Sequence, residues 1–563
     1  MLVGRTLLKI AGEIVTKRMR RKVDAFRQAT HHPQERQLAL LQEILRFQAN
    51  TAYGRDHGFA SIRTVAEYRR RVGVNSYENL LPYIQRVMKG EIDALLADPA
   101  VLMFALTSGT TAARKHIPIT QRYLDDYRRG WNIWGLTARC EHPIVRYKPI
   151  MQMAGDPEEF RTESGIPCGS LSGYTAQVQN RIIRHLYCVP AITGTIADTA
   201  SRYYVALRFS VPRNVGMLTA ANPSTLVALA RAMDREKESL IRDIADGTLN
   251  PKLDLPEPIR AQLAKKAKRD KHRAAQLEAF VRRDGTLLPS AVWPPETILL
   301  GCWTGGSVGP YLRQLPKYFG NSPVRDIGLL ASEGRFTMPF QDMSPSGVLD
   351  ITSHYFEFIP ESEIDSPQPT ALGAHELQEG ASYYILPTTK AGLYRYHISD
   401  LVRVTGFLNE TPMVEFLGKG NRFANLTGEK ISEHQVTEAI DLVAKRISQP
   451  MTAYAMAPCW DETQPYYGLF LEEADVANAN LLGRFLRMLD EVLAQLNVEY
   501  AAKRASGRLG PIRVEVLPTG TWQKWDRDRL EKCGGSPEQY KHPCLIGDVN
   551  FVKTMPVVRE VLS

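Results

Sequence analysis

The stretch LTSGTTAARKHIPIT, Leu106 to Thr120, decides how the rest of the chain is read. It closes Val101–Leu106, a short continuous apolar run of the kind a buried strand shows. Small hydroxyl and glycine residues follow, Thr107, Ser108, Gly109, Thr110 and Thr111, and then the basic pair Arg114 and Lys115. Gly109 can take positive φ and let a ligand approach the backbone closely. Hydroxyls and exposed N–H groups can donate to phosphate oxygens, and Lys115 can neutralise their charge. Taken alone, the loop reads as a phosphate cradle or as a polar surface turn. It is not a Walker loop, because GxxxxGK[ST] occurs nowhere in the chain.

At 563 residues the chain is several times a typical domain of ~150, so more than one core is expected. A hydrophobic fraction of 44% with 23% charged residues is ordinary for globular proteins and excludes disordered and collagen-like classes. No apolar run approaches the ~18 residues of a membrane span. The opening MLVGRTLLKIAGEIVTKRMRRK is cut by Arg5, Lys9 and Glu13 and reads as an amphipathic helix, not a signal peptide. The cysteines at 140, 168, 188, 302, 459, 533 and 544 form no CxxC pair. That predicts a reducing, cytoplasmic setting with neither a disulfide framework nor a zinc cage.

The net charge of +9 invites a nucleic-acid reading, but its location argues otherwise. Residues 260–283 hold +7 and residues 5–22 hold +6, which leaves the remainder at −4. The first of these segments has no aromatic residue except Phe280, hence no stacking platform for bases. A solvated helix face is the expectation there, with phosphate-backbone or anionic-membrane contact as the weaker readings.

Helical spacing runs from Val23 to Phe47 and again over Asn222–Asp246, which starts with Pro223 and Ser224 and stops at Gly247. Strand signals dominate afterwards: Thr297–Cys302, Ile327–Ala331, Tyr355–Ile359, Tyr383–Leu386 and Leu401–Thr405. Tyr394 and Tyr396 flank Arg395 in alternation, which predicts a strand with one aromatic face serving as core or pocket wall. Together these elements predict a large mixed α/β domain over 1–417. A smaller α+β domain over 418–563 then alternates helix Ser432–Ile447, strands Met451–Ala457 and Gly468–Leu471, helix Leu481–Leu496 and strand Ile512–Val516. Gly418–Asn421, two glycines flanking Lys419, is the expected hinge.

Further segments stand in a fixed order around the loop. YENLLPYIQRVMKGE (77–91) precedes it; LLASEGRF (329–336) and TTKAGLYRYHISDLVRVTGF (388–407) follow. NLTGEKISEHQV (425–436), GPIRVEVLPTGTWQKW (510–525) and QYKHP (539–543) lie beyond the hinge. This ordered set resembles the adenylate-forming ligase superfamily, and within it the Gretchen Hagen, auxin-responsive family of acyl acid amido synthetases. The resemblance covers nearly the whole chain and implies the two-domain fold of that superfamily, with ATP and Mg2+ as cofactors. It also implies roles. Thr107, Ser108, Gly109, Thr110, Thr111 and Lys115 would hold phosphates, and Ser332 and Glu333 would lie beside them, Glu333 also holding magnesium. Asp400 would grip the ribose, Phe407 would lie against the nucleotide, and Lys541 would act in the first chemical step. The sequence departs from the family pattern in three places. Leu329-Leu330-Ala331-Ser332-Glu333 replaces the usual Tyr-Ala-Ser-Ser-Glu, His397-Ile398-Ser399-Asp400 replaces Arg-Val-Gly-Asp, and Lys419 replaces an arginine. Plant hormone substrates are therefore not carried over.

A carboxylate is a poor electrophile, and transfer to AMP from ATP makes it a good one. Such a step at phosphorus needs in-line positioning and charge neutralisation more than covalent help. The expected reaction is ATP-dependent activation of a small carboxylic acid followed by transfer to an amino acid or other amine. No nucleic acid, membrane span or obligate protein partner is expected. A thiol acceptor, coenzyme A or a carrier protein, is the alternative within the same chemistry. From another class comes a serine hydrolase: Gly305-x-Ser307-x-Gly309 follows a strand, with Asp326 or Asp350 and His354 or His375 downstream. That reading leaves the Thr107–Thr111 loop and the smaller domain unexplained.

Overall fold

Strand Met103–Thr107 runs antiparallel to Lys115–Ile119, with Thr107 opposite Lys115. This pair belongs to a computed structural model that describes residues 20–107, 114–179, 184–364, 366–420, 423–424, 426–427, 429, 431–448, 451–461, 464–476, 479–505, 507–533 and 540–562. The residues joining the two strands include Ser108, Gly109, Thr110 and Thr111, which lie outside the described residues.

Two compact units emerge. The first comprises 1–303, 316–398 and 402–415; the second comprises 304–315, 399–401 and 416–563. The GxSxG segment and Asp400, which the sequence groups with the larger domain, thus fall in the second unit.

The first unit is mixed α/β. One four-stranded sheet orders Lys115–Ile119, Met103–Thr107, Pro167–Gly169 and Phe160–Arg161. A second is wholly parallel: Ile150–Gln152, Met217–Thr219, Leu299–Gly301 and Val324–Arg325. The largest orders Thr337–Met338, Gly347–Leu349, Thr411–Lys419, Asp400–Leu408, Ser382–Thr388, Tyr355–Pro360 and Leu372–Gly373, and the ends of two of its strands, 400–401 and 416–419, are counted with the second unit. Helices Pro33–Gln48 and Tyr77–Met88 bury Leu40, Leu41, Ile44, Leu80 and Ile84 in a core shared with Phe104, Phe356 and Tyr394.

The second unit is α+β. Its sheet orders Tyr454–Cys459, Tyr466–Glu472, Arg513–Leu517 and Arg559–Val561, with the middle pair parallel and both outer pairs antiparallel. Ser432 caps helix Glu433–Ile447 through a reciprocal bond with Gln435, the arrangement that satisfies two otherwise orphaned N–H groups. This helix and Ala479–Leu496 share the core of Val436, Ile440, Phe485, Leu489, Met456 and Leu469.

Several elements differ from the sequence reading. The helix expected over Val23–Phe47 is broken before Pro33, which opens the helix Pro33–Gln48 and has no N–H to continue an earlier one. The Asn222–Asp246 helix is two, Pro223–Arg235 and Lys237–Asp246, and no breaker residue marks the division. The basic helix is likewise split into Glu257–Ala264 and Lys271–Asp284, where the Asp270 carboxylate accepts from the Arg273 N–H at 2.9 Å. Nor is its charge all solvated: Arg273 donates to the carbonyls of Val211 (3.2 Å) and Val292 (3.0 Å). The amphipathic segment expected at the start lies mostly outside the described residues. Among the described residues no helix is long and apolar enough to cross a membrane.

Candidate functional site

Leu330–Ala331 and Gly334–Arg335 form a hairpin with Ala331 opposite Gly334, so Ser332 and Glu333 make its tip. The Tyr123 hydroxyl, one turn into helix Gln121–Glu141, donates to the Ser332 carbonyl at 2.8 Å. Glu333 is buried, at 5% exposure. Burial, with a smaller push from the Glu333 charge, holds the hydroxyls of Tyr77 and Tyr123 above the ordinary phenol range. The turn requires Gly334: a Cβ there would stand 2.6 Å from the Phe336 ring and 2.7 Å from His354 Nε2.

Lys115 reaches the same neighbourhood from the strand after the hydroxyl-rich loop. Its ammonium lies 3.0 Å from the Tyr396 hydroxyl and 5.5 Å from the ring centroids of both Tyr77 and Tyr396. The His116 N–H donates to the Tyr77 hydroxyl at 2.8 Å, which pins the start of helix Tyr77–Met88 to this strand. Thr107 and Lys115 thus stand opposite one another beside Tyr77, and Ser332 is held by Tyr123. Phe407 is in the same unit but stands 41% exposed on its strand.

The segment 389–399 is not the aromatic strand that alternation predicted. Arg395 takes φ 43°, a left-handed backbone that a regular strand excludes. Its side chain turns inward, where Nε donates to Glu357 at 2.7 Å and Nη1 to the Val72 carbonyl at 2.8 Å. Tyr394 stacks on Tyr53 at 4.7 Å while Tyr396 meets Lys115, so one tyrosine is core and the other faces the site.

In the second unit Asp400 is 3% exposed and forms an ion pair with Lys419. Ser399, at φ 65°, accepts from the Gly420 N–H at 2.7 Å, which brings the chain around Lys419 back onto the Asp400 strand. The Lys541 ammonium lies 4.7 Å from the Phe416 ring centroid. Next to it His542 is buried, with Nδ1 at 2.7 Å from Asp526 and Nε2 at 3.1 Å from the Tyr454 carbonyl. The Tyr540 hydroxyl also donates to Asp526, so both neighbours of Lys541 are anchored.

The hydrolase reading finds little in His354. It is 3% exposed, and its Nδ1 has no hydrogen-bond partner among the described residues. The Asp350 carboxylate is engaged by the hydroxyls of Thr352 and Ser353 instead. An orienting acid on the imidazole, which the hydrolase relay uses, is therefore missing on this histidine. Burial depresses its pKa from 6.5 to about 4. A depressed histidine binds its proton more readily when unfolded, so stability is present above pH 6.5 and falls as the pH drops toward about 4. His354→Gln should flatten that acid slope of thermal stability; an unchanged slope would remove His354 as its source.

Sequence patterning gave Tyr396 as core or pocket wall but missed Tyr77 and Tyr123, because a tyrosine on an apolar face reads as core. Tyr123 carried one signal, its place on the first turn of the helix directly after the loop strand.

Comparison with known proteins follows this geometry. The solved structure of GH3.15 acyl acid amido synthetase aligns at TM-score 0.82 and 20% identity, covering 96% of this chain and 97% of that one. The fold is therefore the one that acyl acid amido synthetase has. Family models match as the GH3 family N-terminal domain over 22–324, central domain over 347–419 and C-terminal domain over 434–550. The chain belongs to the GH3 family. Its relatives include a jasmonoyl–L-amino acid synthetase of Nicotiana attenuata, 23% identical and covering 94% of each chain. Another is an indole-3-acetic acid-amido synthetase of Oryza sativa subsp. indica, 27% identical over 93% of this chain and 89% of its own.

Proposed function

We propose that this protein is an ATP-dependent acid–amino acid ligase. A carboxylate oxygen attacks the α-phosphorus of ATP, the bond to pyrophosphate breaks, and an acyl-adenylate forms. The nitrogen of an amino acid then attacks the acyl carbon, loses a proton, and displaces AMP to leave an amide. The relatives named above, which are acyl acid–amino acid ligases by name, support this reading.

The observation that carries it is the buried Glu333 at a hairpin tip, where Tyr123 holds the Ser332 carbonyl, together with Lys115 on the strand that follows the hydroxyl-rich loop. In this assignment Lys115 and the Thr107–Thr111 hydroxyls hold the triphosphate, and Tyr396 aims the Lys115 ammonium. Ser332 and Glu333 fix the position of the reacting phosphate. Asp400 accepts from the ribose hydroxyls, Phe407 lies against the nucleotide, and Lys541 neutralises charge on the carboxylate as it attacks. Among the described residues no three His, Cys, Asp or Glu cluster as a metal site. One carboxylate nevertheless fits magnesium, which keeps several waters and binds through one or two carboxylates plus substrate phosphates. When bound, magnesium would screen the phosphate oxygens.

Incubation with ATP, magnesium, a panel of carboxylic acids, pooled amino acids and coenzyme A, followed by mass spectrometry, tests the assignment. An amide conjugate with AMP is expected. A thioester in its place would transfer the second step to a thiol acceptor. Asp400→Asn should raise the KM for ATP by ~10–100-fold, the worth of a hydrogen bond to a charged group, with a smaller change in kcat. An unchanged KM would take Asp400 out of nucleotide binding.

A further inference from the structure

Arg335 follows the Glu333 tip by two residues and is 1% exposed. Its guanidinium lies 4.6 Å from the Trp131 ring centroid and 5.9 Å from that of Trp134. Nη2 donates to the Ile327 carbonyl at 2.6 Å, but Nε and Nη1 meet no acceptor among the described residues. A guanidinium stays charged at neutral pH. The two tryptophan rings stabilise the cation. They leave the in-plane N–H groups unsatisfied, and buried unpaired donors are costly.

The surroundings are built for this side chain. A Cβ on Gly130 would stand 2.6 Å from Arg335 Cδ, so glycine in the helix makes room for the arginine stem. The Trp134 indole donates to the Asp326 carbonyl at 2.7 Å and the Trp303 indole to the Gly328 carbonyl at 3.0 Å, which fixes both rings. Trp131, Trp303 and Leu330 are half-buried and pack on Trp134, Met217, Leu299 and Ile327. The result is a tryptophan-rich cluster with a cation against two of its rings.

This cluster is set apart from the reacting end. Tyr123 marks the Glu333 end of helix Gln121–Glu141, and Gly130 lies ~10 Å further along at 1.5 Å per residue. An acid with its carboxylate near Glu333 would direct its body toward the tryptophans.

We propose that the acid taken here carries, remote from its reacting carboxylate, an oxygen acceptor that Arg335 binds. A hydroxyl and a second carboxylate share that chemistry. The inference rests on the adenylation reading for the location of the reacting end. Calorimetric titration of the full chain with benzoate and phenylacetate, and with their ring-hydroxylated and ring-carboxylated counterparts, tests it. The oxygen-bearing acids should bind at least ~10-fold tighter, as one charged hydrogen bond implies, and the hydroxyl and carboxyl arms identify which oxygen is read. Arg335→Met should erase that preference while leaving the unsubstituted acids within about twofold, since it removes only that bond. Its thermal midpoint should not fall, because an unpaired buried charge is replaced by an apolar chain of similar length. Arg335→Gln carries the same comparison should the methionine variant not fold. Equal affinities in the wild type, no binding of any acid, or equal weakening of every acid in the variants would overturn the proposal. A wild-type preference without pyrophosphate exchange by any acid would overturn adenylation instead and leave the Arg335 assignment standing.

Discussion

Glu333→Gln should lower acid-dependent pyrophosphate exchange by ~10²–10³-fold, the usual cost of removing one preorganised electrostatic group from a transition state. Glutamine keeps the volume and shape of the side chain, so the 5%-exposed position stays filled and the hairpin keeps its Ala331–Gly334 register. What disappears is the negative charge at the hairpin tip. With that charge gone, the loss should fall on kcat more than on the KM for the acid. Exchange within twofold of the wild type, in protein of unchanged thermal midpoint, would remove Glu333 from the chemistry.

Glu357→Gln should cost the first unit ~3–5 kcal/mol, the range for breaking a buried ion pair from one side. Glu357 is fully buried, and each of its oxygens holds a different arginine: Arg69 Nε at 2.7 Å on one, Arg395 Nε at 2.7 Å on the other. Neutralising it strands the deeply buried Arg395, whose backbone already occupies a left-handed conformation. That conformation turns Tyr396 toward Lys115, so damage should spread from stability into nucleotide affinity. At ~2–4 °C per kcal/mol for a unit of a few hundred residues, the midpoint should drop by roughly 6–20 °C. A shift under about 2 °C, below what one kcal/mol produces at this size, would mean that the two arginines find other partners.

Motif-level reading served well where chemistry and local backbone coincide. The strand that runs into the loop follows from short-range patterning, whereas the strand Lys115–Ile119 and the hairpin that carries Glu333 do not. Alternation failed at Tyr394-Arg395-Tyr396, because the Glu357 pair and the Val72 carbonyl dictate a backbone that no local propensity favours. The same limit hid Arg335: its meaning comes from two tryptophans on a helix some two hundred residues earlier and from the glycine that admits its stem. Pro33 was readable as a break and was outweighed by apolar spacing on both sides of it.

Isotope exchange between labelled pyrophosphate and ATP, run with magnesium across a broad set of carboxylic acids, addresses the first half-reaction without any amine present. Label should enter ATP only when a suitable acid is added, and the rate should collapse in Glu333→Gln. Label entering ATP at the same rate without any acid, or no exchange with any acid while the folded protein still binds ATP, would contradict activation of a carboxylate through its adenylate.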